Sequence, residues 1–213
     1  MRPLFLIALL FISGRAEAQV PPPAFDPAQS GDHVAVLSGG CFWGMQGVFQ
    51  HVKGVVSATA GYAGGSADSA HYETVSTGTT GHAESVRVVY DASKISYGKL
   101  LEIFFSVAHD PTELNRQGPD EGTQYRSGIF ATDGMQKKVA QSYIEQLSKA
   151  KAFPAKIVTK VDMLPAFYAA ERYHQDFALR HPYNLYIVIN DLPKIARLRK
   201  VFPEWYVDKP SPY

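Results

Sequence analysis

At 213 residues the chain is long enough for one domain with a full apolar core that needs no disulfides. Hydrophobic residues make up 46% and charged residues 19%, an ordinary globular balance that excludes a disordered chain. The formal net charge of +1 gives no basic surface for nucleic acid or for an anionic membrane.

Residues 1–18 read as a signal peptide. Arg2 is a short positive segment, residues 4–12 are a continuous apolar run too short to span a bilayer, and Ala16-Glu17-Ala18 is a small-x-small cleavage site. An uncleaved anchor is the alternative; a lipoprotein does not fit, because no cysteine lies near the site. Cleavage makes Gln19 the first residue, removes Arg2, Arg15 and Glu17, and leaves equal numbers of acidic and basic side chains. The expected protein is periplasmic or secreted, with no membrane contact after cleavage. Residues 19–32 form a proline-rich leader, expected to be extended and loosely held.

Residues 33–38 alternate and end in small residues, as a buried strand does. Gly39-Gly40-Cys41-Phe42-Trp43-Gly44 follows, and then apolar residues at helical spacing. The pattern is strand, glycine turn, helix, with Cys41 at the helix N-terminus. Free N–H groups and the helix dipole favour an anion there, which can lower a thiol pKa from roughly 8.5 toward neutrality. Cys41 is the only cysteine in the chain. A lone buried cysteine is commonly a small hydrophobe. Here the glycines clear bulk from the sulfur, and export leaves an unpaired thiol reactive or bound to another chain.

Residues 54–60 predict a second strand and 61–69 a small-residue loop. Residues 82–90 predict a third strand, and 97–107 an amphipathic helix. Residues 109–126 form a long polar loop, of the kind that is usually functional. A short strand is expected over 127–132, a helix over 135–151 and a strand over 157–161. Residues 165–179 are expected to contain a helix, and Asn190-Asp191 to cap a last helix over 192–201. This order predicts an α+β two-layer sandwich. The organisation is a domain over residues 33–205 and a tail over 206–213.

Gly40-Cys41-Phe42-Trp43-Gly44 resembles the signature of the peptide methionine sulfoxide reductase A family. Further segments resemble it in the same order: Gly61-Tyr62-Ala63-Gly64-Gly65, His71-Tyr72-Glu73, Gly81-His82-Ala83-Glu84, His109-Asp110-Pro111-Thr112, Gln117-Gly118-Pro119-Asp120, Gln124-Tyr125-Arg126-Ser127 and Ala170-Glu171-Arg172-Tyr173-His174-Gln175. The resemblance implies a ferredoxin-like core with long loop insertions. It implies thiol-dependent reduction of methionine S-sulfoxide, free or in peptides and proteins, with no metal or organic cofactor. Oxidised proteins are the substrates, a thioredoxin-like thiol is the reductant, and the protein is expected to be a monomer.

Sulfoxide reduction needs a soft nucleophile for the sulfur and a proton for the oxygen. Cys41 meets the first need. Glu84 matches the family's acid, and burial would keep such a carboxyl protonated near neutral pH. Tyr72 and Tyr125 match the tyrosines that hydrogen-bond the oxygen, and Asp120 matches the loop carboxylate. Phe42 and Trp43 would enclose the methyl group through sulfur–aromatic contact. Read without the resemblance, Glu84 is a solvated strand edge, the tyrosines are packing residues and Asp120 forms a turn.

The chain departs from many family members in having no cysteine over residues 190–213 and serine at Ser76. The resolving thiol must then come from outside. Two other readings stay open. A cysteine hydrolase would draw its base from His82, His109 or His174. A non-catalytic binder of oxidised methionine would need no resolving thiol. A metal site at Glu171-x-x-His174 is weak without matching helices.

Overall fold

Strand β1 (Asp32–Ser38) runs through the middle of the sheet and alternates between its faces. Ala35 and Leu37 enter the main core, whereas Val36 joins Ala63, Ala83 and Phe130 in a smaller cluster behind it. The computed structural model describes residues 19–213, so the signal peptide read over 1–18 lies outside the described residues.

After the glycine turn comes α1 (Phe42–Gln50), then β2 (Val55–Ala63), a short α2 (Tyr72–Val75) and β3 (Ala83–Asp91). Helix α3 (Tyr97–Ile103) ends in a π-helical turn, Phe104–Ala108. Two-residue strands β4 (Arg116–Gln117) and β5 (Asp120–Glu121) pair within the long loop. Then follow β6 (Gly128–Ala131), α4 (Gly134–Lys149), β7 (Lys160–Met163), β8 (Phe167–Ala169), α5 (Phe177–Arg180) and α6 (Leu192–Val201). Six strands form one sheet in the order β7-β6-β1-β3-β2-β8. All neighbours are antiparallel except β6 and β7. The inner part, β1-α1-β2-β3-α3-β6, has the β-α-β-β-α-β connectivity. Apolar faces of α1, α3 and α4 share the main core with the sheet, which makes the protein an α+β fold.

Three expectations are corrected and one is met only in its last turn. Strand β2 does not stop at Ala60: Gly61, Tyr62 and Ala63 pair with β3 on one side and β8 on the other. Two partners hold these small residues extended where their own pattern reads as a loop. The strand expected over 157–161 is displaced to Lys160–Met163, where it pairs with β6. Residues 165–179 do lead into a helix that ends before His181, the short α5, but most of the segment is β8 and a 3₁₀ turn (Arg172–His174). Here Gln175 takes the place of a strand partner: its Oε1 accepts Ala60 N–H and its Nε2 donates to Ala60 O, both at 2.9 Å. The leader is not loosely held. Val20 is buried, Tyr143 donates to Pro21 O, and Gln146 bonds both Pro22 O and Ala24 N–H. The tail is pinned too, through Ser211 N–H to Gln50 O and Ala58 N–H to Pro212 O.

Candidate active site

Gly40 brings the chain from β1 into α1 with φ +90, a conformation disfavoured for side-chain-bearing residues. A Cβ there would also lie 2.5 Å from Gln117, so the long loop packs directly on the turn. Cys41 then occupies the N-cap position of α1. The first helical N–H, that of Phe42, donates to Glu84 Oε2 at 2.9 Å, whereas the Cys41 side chain caps no N–H.

Glu84 is the second residue of β3 and lies opposite Tyr62 of β2. It is 3% exposed. Burial pushes its carboxyl up to about 8; the Phe42 N–H pulls the other way, and the charges of Asp120 and Asp191 add to the rise. At neutral pH Glu84 is therefore a carboxylic acid holding its proton.

The thiol behaves differently from the expectation drawn from its helix end. Burial, then the Glu84 and Asp191 carboxylates, raise Cys41 well above an ordinary thiol. The Trp43 N–H and the Lys194 ammonium oppose this but do not outweigh it. Desolvation of a cysteine that is only 8% exposed exceeds the helix-end effect, so the resting group is a thiol rather than a thiolate.

Tyr72 opens α2. Its backbone N–H is held by Glu171 Oε1 at 2.9 Å, while Glu171 Oε2 accepts the Tyr62 hydroxyl at 2.8 Å. Tyr125 sits in the long loop, which Arg126 clamps to Gly81 O and His82 O at 2.8 and 2.9 Å. Burial, and then the Glu84 charge, raise both phenols, so they remain hydrogen donors. Half-buried Asp120 accepts a hydrogen bond from the Tyr186 hydroxyl, and burial raises its carboxyl above the ordinary aspartate range. Cys41 and Asp120 both act electrostatically on Tyr72 and on Tyr125, so the fold gathers these side chains into one cluster.

The two aromatics after Cys41 differ in setting. Phe42 is fully buried, with its ring centre 5.0 Å from His174 and 5.9 Å from Tyr62. Trp43 is half-buried and stacks on Phe177 at 3.9 Å. Its indole N–H donates to His174 Nδ1 at 3.1 Å. That bond places the His174 proton on Nε2, and burial lowers its pKa, so His174 is a neutral prop for the indole. The Trp43 prop, Tyr186 and the Asp191–Lys194 pair carried no local signal of these roles in the sequence; only the docking of residues 170–201 onto α1 reveals them.

The candidate histidines of a hydrolase are otherwise engaged. His82 bonds Gly65 N–H and Ser66 O, and His109 bonds Phe104 O and Ser127 Oγ. No histidine hydrogen-bonds Cys41 among the described residues. Glu171 and His174 share a 3₁₀ turn, but the carboxylate is committed to Tyr62 and Tyr72.

A lone buried thiol beside a protonated carboxyl, on an α+β frame, defines a thiol-based oxidoreductase rather than a hydrolase. Comparison with known proteins sharpens that class. The chain belongs to the peptide methionine sulfoxide reductase family, whose model matches residues 33–205. It is 60% identical over 185 residues to peptide methionine sulfoxide reductase MsrA 2 of Mesorhizobium japonicum, covering 87% of this chain and 95% of that one. It is 50% identical over 190 residues to the MsrA 2 of Synechocystis, covering 87% and 89%. Among solved structures, reduced Mxr1 of Saccharomyces cerevisiae matches with a TM-score of 0.64 at 34% identity, covering 76% of this chain and 91% of that one. Methionine sulfoxide reductase A of Corynebacterium diphtheriae matches with a TM-score of 0.62 at 32% identity, covering 73% and 78%.

Proposed function

We propose that this protein reduces methionine S-sulfoxide, free or within proteins, to methionine, and so repairs oxidised proteins. Cys41 attacks the sulfoxide sulfur while Glu84 protonates the oxygen. Tyr72 and Tyr125 donate hydrogen bonds to that oxygen, with Asp120 beside them, and Trp43 over buried Phe42 shelters the methyl group. Methionine leaves, and the oxygen remains on Cys41 as a sulfenic acid. Two electrons have passed from Cys41 to the substrate sulfur.

The chain has no second cysteine, so an external thiol must attack the sulfenic sulfur, releasing water and leaving a mixed disulfide. A second thiol then frees Cys41. A thioredoxin-like dithiol protein suits this task, and no metal or organic cofactor enters the cycle. The signal-like residues 1–18 support an exported, periplasmic or secreted, enzyme starting at Gln19.

The observation that carries this reading is the protonated, buried Glu84 tied to Phe42 N–H, next in the chain to Cys41. Turnover with dithiothreitol, run separately on the two epimers of methionine sulfoxide, tests it. Reduction of the S epimer alone is expected; no turnover of either epimer overturns the reading.

A further inference from the structure

Asp191 is fully buried, yet its carboxylate is poorly partnered. It occupies the N-cap position of α6 with helical backbone angles, φ −111 and ψ −45, and its side chain caps no N–H. The cap expected from the sequence is therefore absent. Oδ1 has Lys194 Nζ at 3.4 Å, and Oδ2 is shielded from solvent with no hydrogen-bond partner. The carboxylate instead lies against the first turn of α1. A Cβ on Gly44, three residues after Cys41, would sit 2.1 Å from Asp191 Oδ1. Lys194 from α6 contacts it, and Cys41 at the N-cap of α1, Glu84 from β3, Asp120 from β5 and Tyr186 from the preceding segment are electrostatically coupled to it. A buried carboxylate with one oxygen unpartnered costs stability, so a use at this place in the fold is expected.

At the moment of attack the Cys41 proton needs an acceptor that Glu84, still protonated, is not. Cys41 rests as a thiol and must lose its proton as it attacks, and Glu84 already holds one. We infer that Asp191 is the base that receives the Cys41 proton while Glu84 gives its own to the sulfoxide oxygen. The site starts with a thiol, an ionised Asp191 and a neutral Glu84. It ends with a sulfenic acid, a neutral Asp191 and an ionised Glu84. Protons and charge balance, and the two electrons lost by Cys41 reduce the substrate sulfur. Transfer of the proton from Asp191 to Glu84 resets the pair. The two environments support this division. Burial raises Asp191 to about 6, with Lys194 restraining it, and raises Glu84 to about 8. Between those values one group is ionised and the other is not.

The inference rests on the sulfoxide reductase reading. Its test is the pH dependence of single-turnover reduction of methionine S-sulfoxide. Wild type is expected to gain rate through a midpoint near pH 6 and lose it near pH 8. Asp191→Asn should lose the acidic limb and roughly 10²-fold or more in rate, with KM changed only a few-fold. Lys194→Met should move the acidic limb to higher pH, because removing the ammonium makes Asp191 easier to protonate. A limb retained in Asp191→Asn, at any rate, overturns the assignment. If Asp191→Asn does not fold, Lys194→Met decides: a shifted limb upholds the assignment and an unmoved one overturns it. Wild type inactive on both epimers would instead overturn the reductase reading.

Discussion

Glu84 Oε2 accepts the backbone N–H of Phe42 at 2.9 Å, which ties the proton donor to the residue next to the nucleophile. The bond crosses from β3 to the first turn of α1. Movement of one group relative to the other would break it and leave a buried donor unpaired, which costs about 1–3 kcal/mol. Acid and nucleophile are thus held in one geometry before substrate arrives, as proton delivery in step with sulfur attack requires.

Cys41→Ser should abolish reduction of methionine S-sulfoxide and leave the fold intact. The hydroxyl keeps the N-cap position and the approach of Trp43 N–H, but it is a far poorer nucleophile toward sulfur. Single-turnover assay and circular dichroism check the two halves; activity near wild type would remove Cys41 from the mechanism.

Glu84→Gln should preserve packing and lower the single-turnover rate by roughly 10²–10⁴, the usual worth of general acid catalysis. The amide keeps a hydrogen donor for the oxygen but has no acidic proton. A rate within a few-fold of wild type would place the acid elsewhere.

The same residue predicts a stability profile. Burial raises the folded-state pKa of Glu84 from 4.5 to about 8, so the folded state binds this proton more tightly than the unfolded chain. Its contribution is full below the unfolded value and is lost as pH rises through the folded value. His109, lowered by burial to about 4, acts with the opposite sign, below its ordinary value of 6.5. Between pH 6.5 and 8 Glu84 dominates, and wild type should lose about 1–2 kcal/mol there. Thermal melts across that range should slope downward for wild type and flatten in Glu84→Gln.

His174→Leu should fill much of the ring's space but leave the Trp43 indole N–H without its acceptor. The expected result is a KM raised several-fold, a smaller change in kcat, and altered tryptophan fluorescence. An unchanged KM would show that the indole is held by Phe177 stacking alone.

With one cysteine, enzyme lacking reductant should release one equivalent of methionine and stop. The product should carry a sulfenic acid that a dimedone-type probe traps, and an added thiol should restore turnover through a mixed disulfide. Mass spectrometry of the burst product reads this directly; a burst well above one equivalent would mean a different cycle.

Much of this protein was legible in its sequence because the signals are local. Alternation in β1, the glycine turn and the start of α1 are set by side-chain period and backbone freedom within a dozen residues. They put Cys41 at a helix N-terminus, and the family motifs added Glu84, Tyr72, Tyr125 and Asp120. What sequence could not decide depends on contacts between distant segments. Strand β2 runs to Ala63 because β3 and β8 flank it, and the helix within residues 165–179 is confined to its last residues because β8 pairs with β2 and Gln175 bonds to Ala60. The leader packs because Tyr143 and Gln146, more than a hundred residues away, bind its carbonyls. The electrostatics followed the same rule. A helix end alone favours a thiolate at Cys41. The folded protein buries that sulfur and brings Glu84 and Asp191 close to it, and desolvation with these two carboxyl groups outweighs the Trp43 N–H and the Lys194 ammonium.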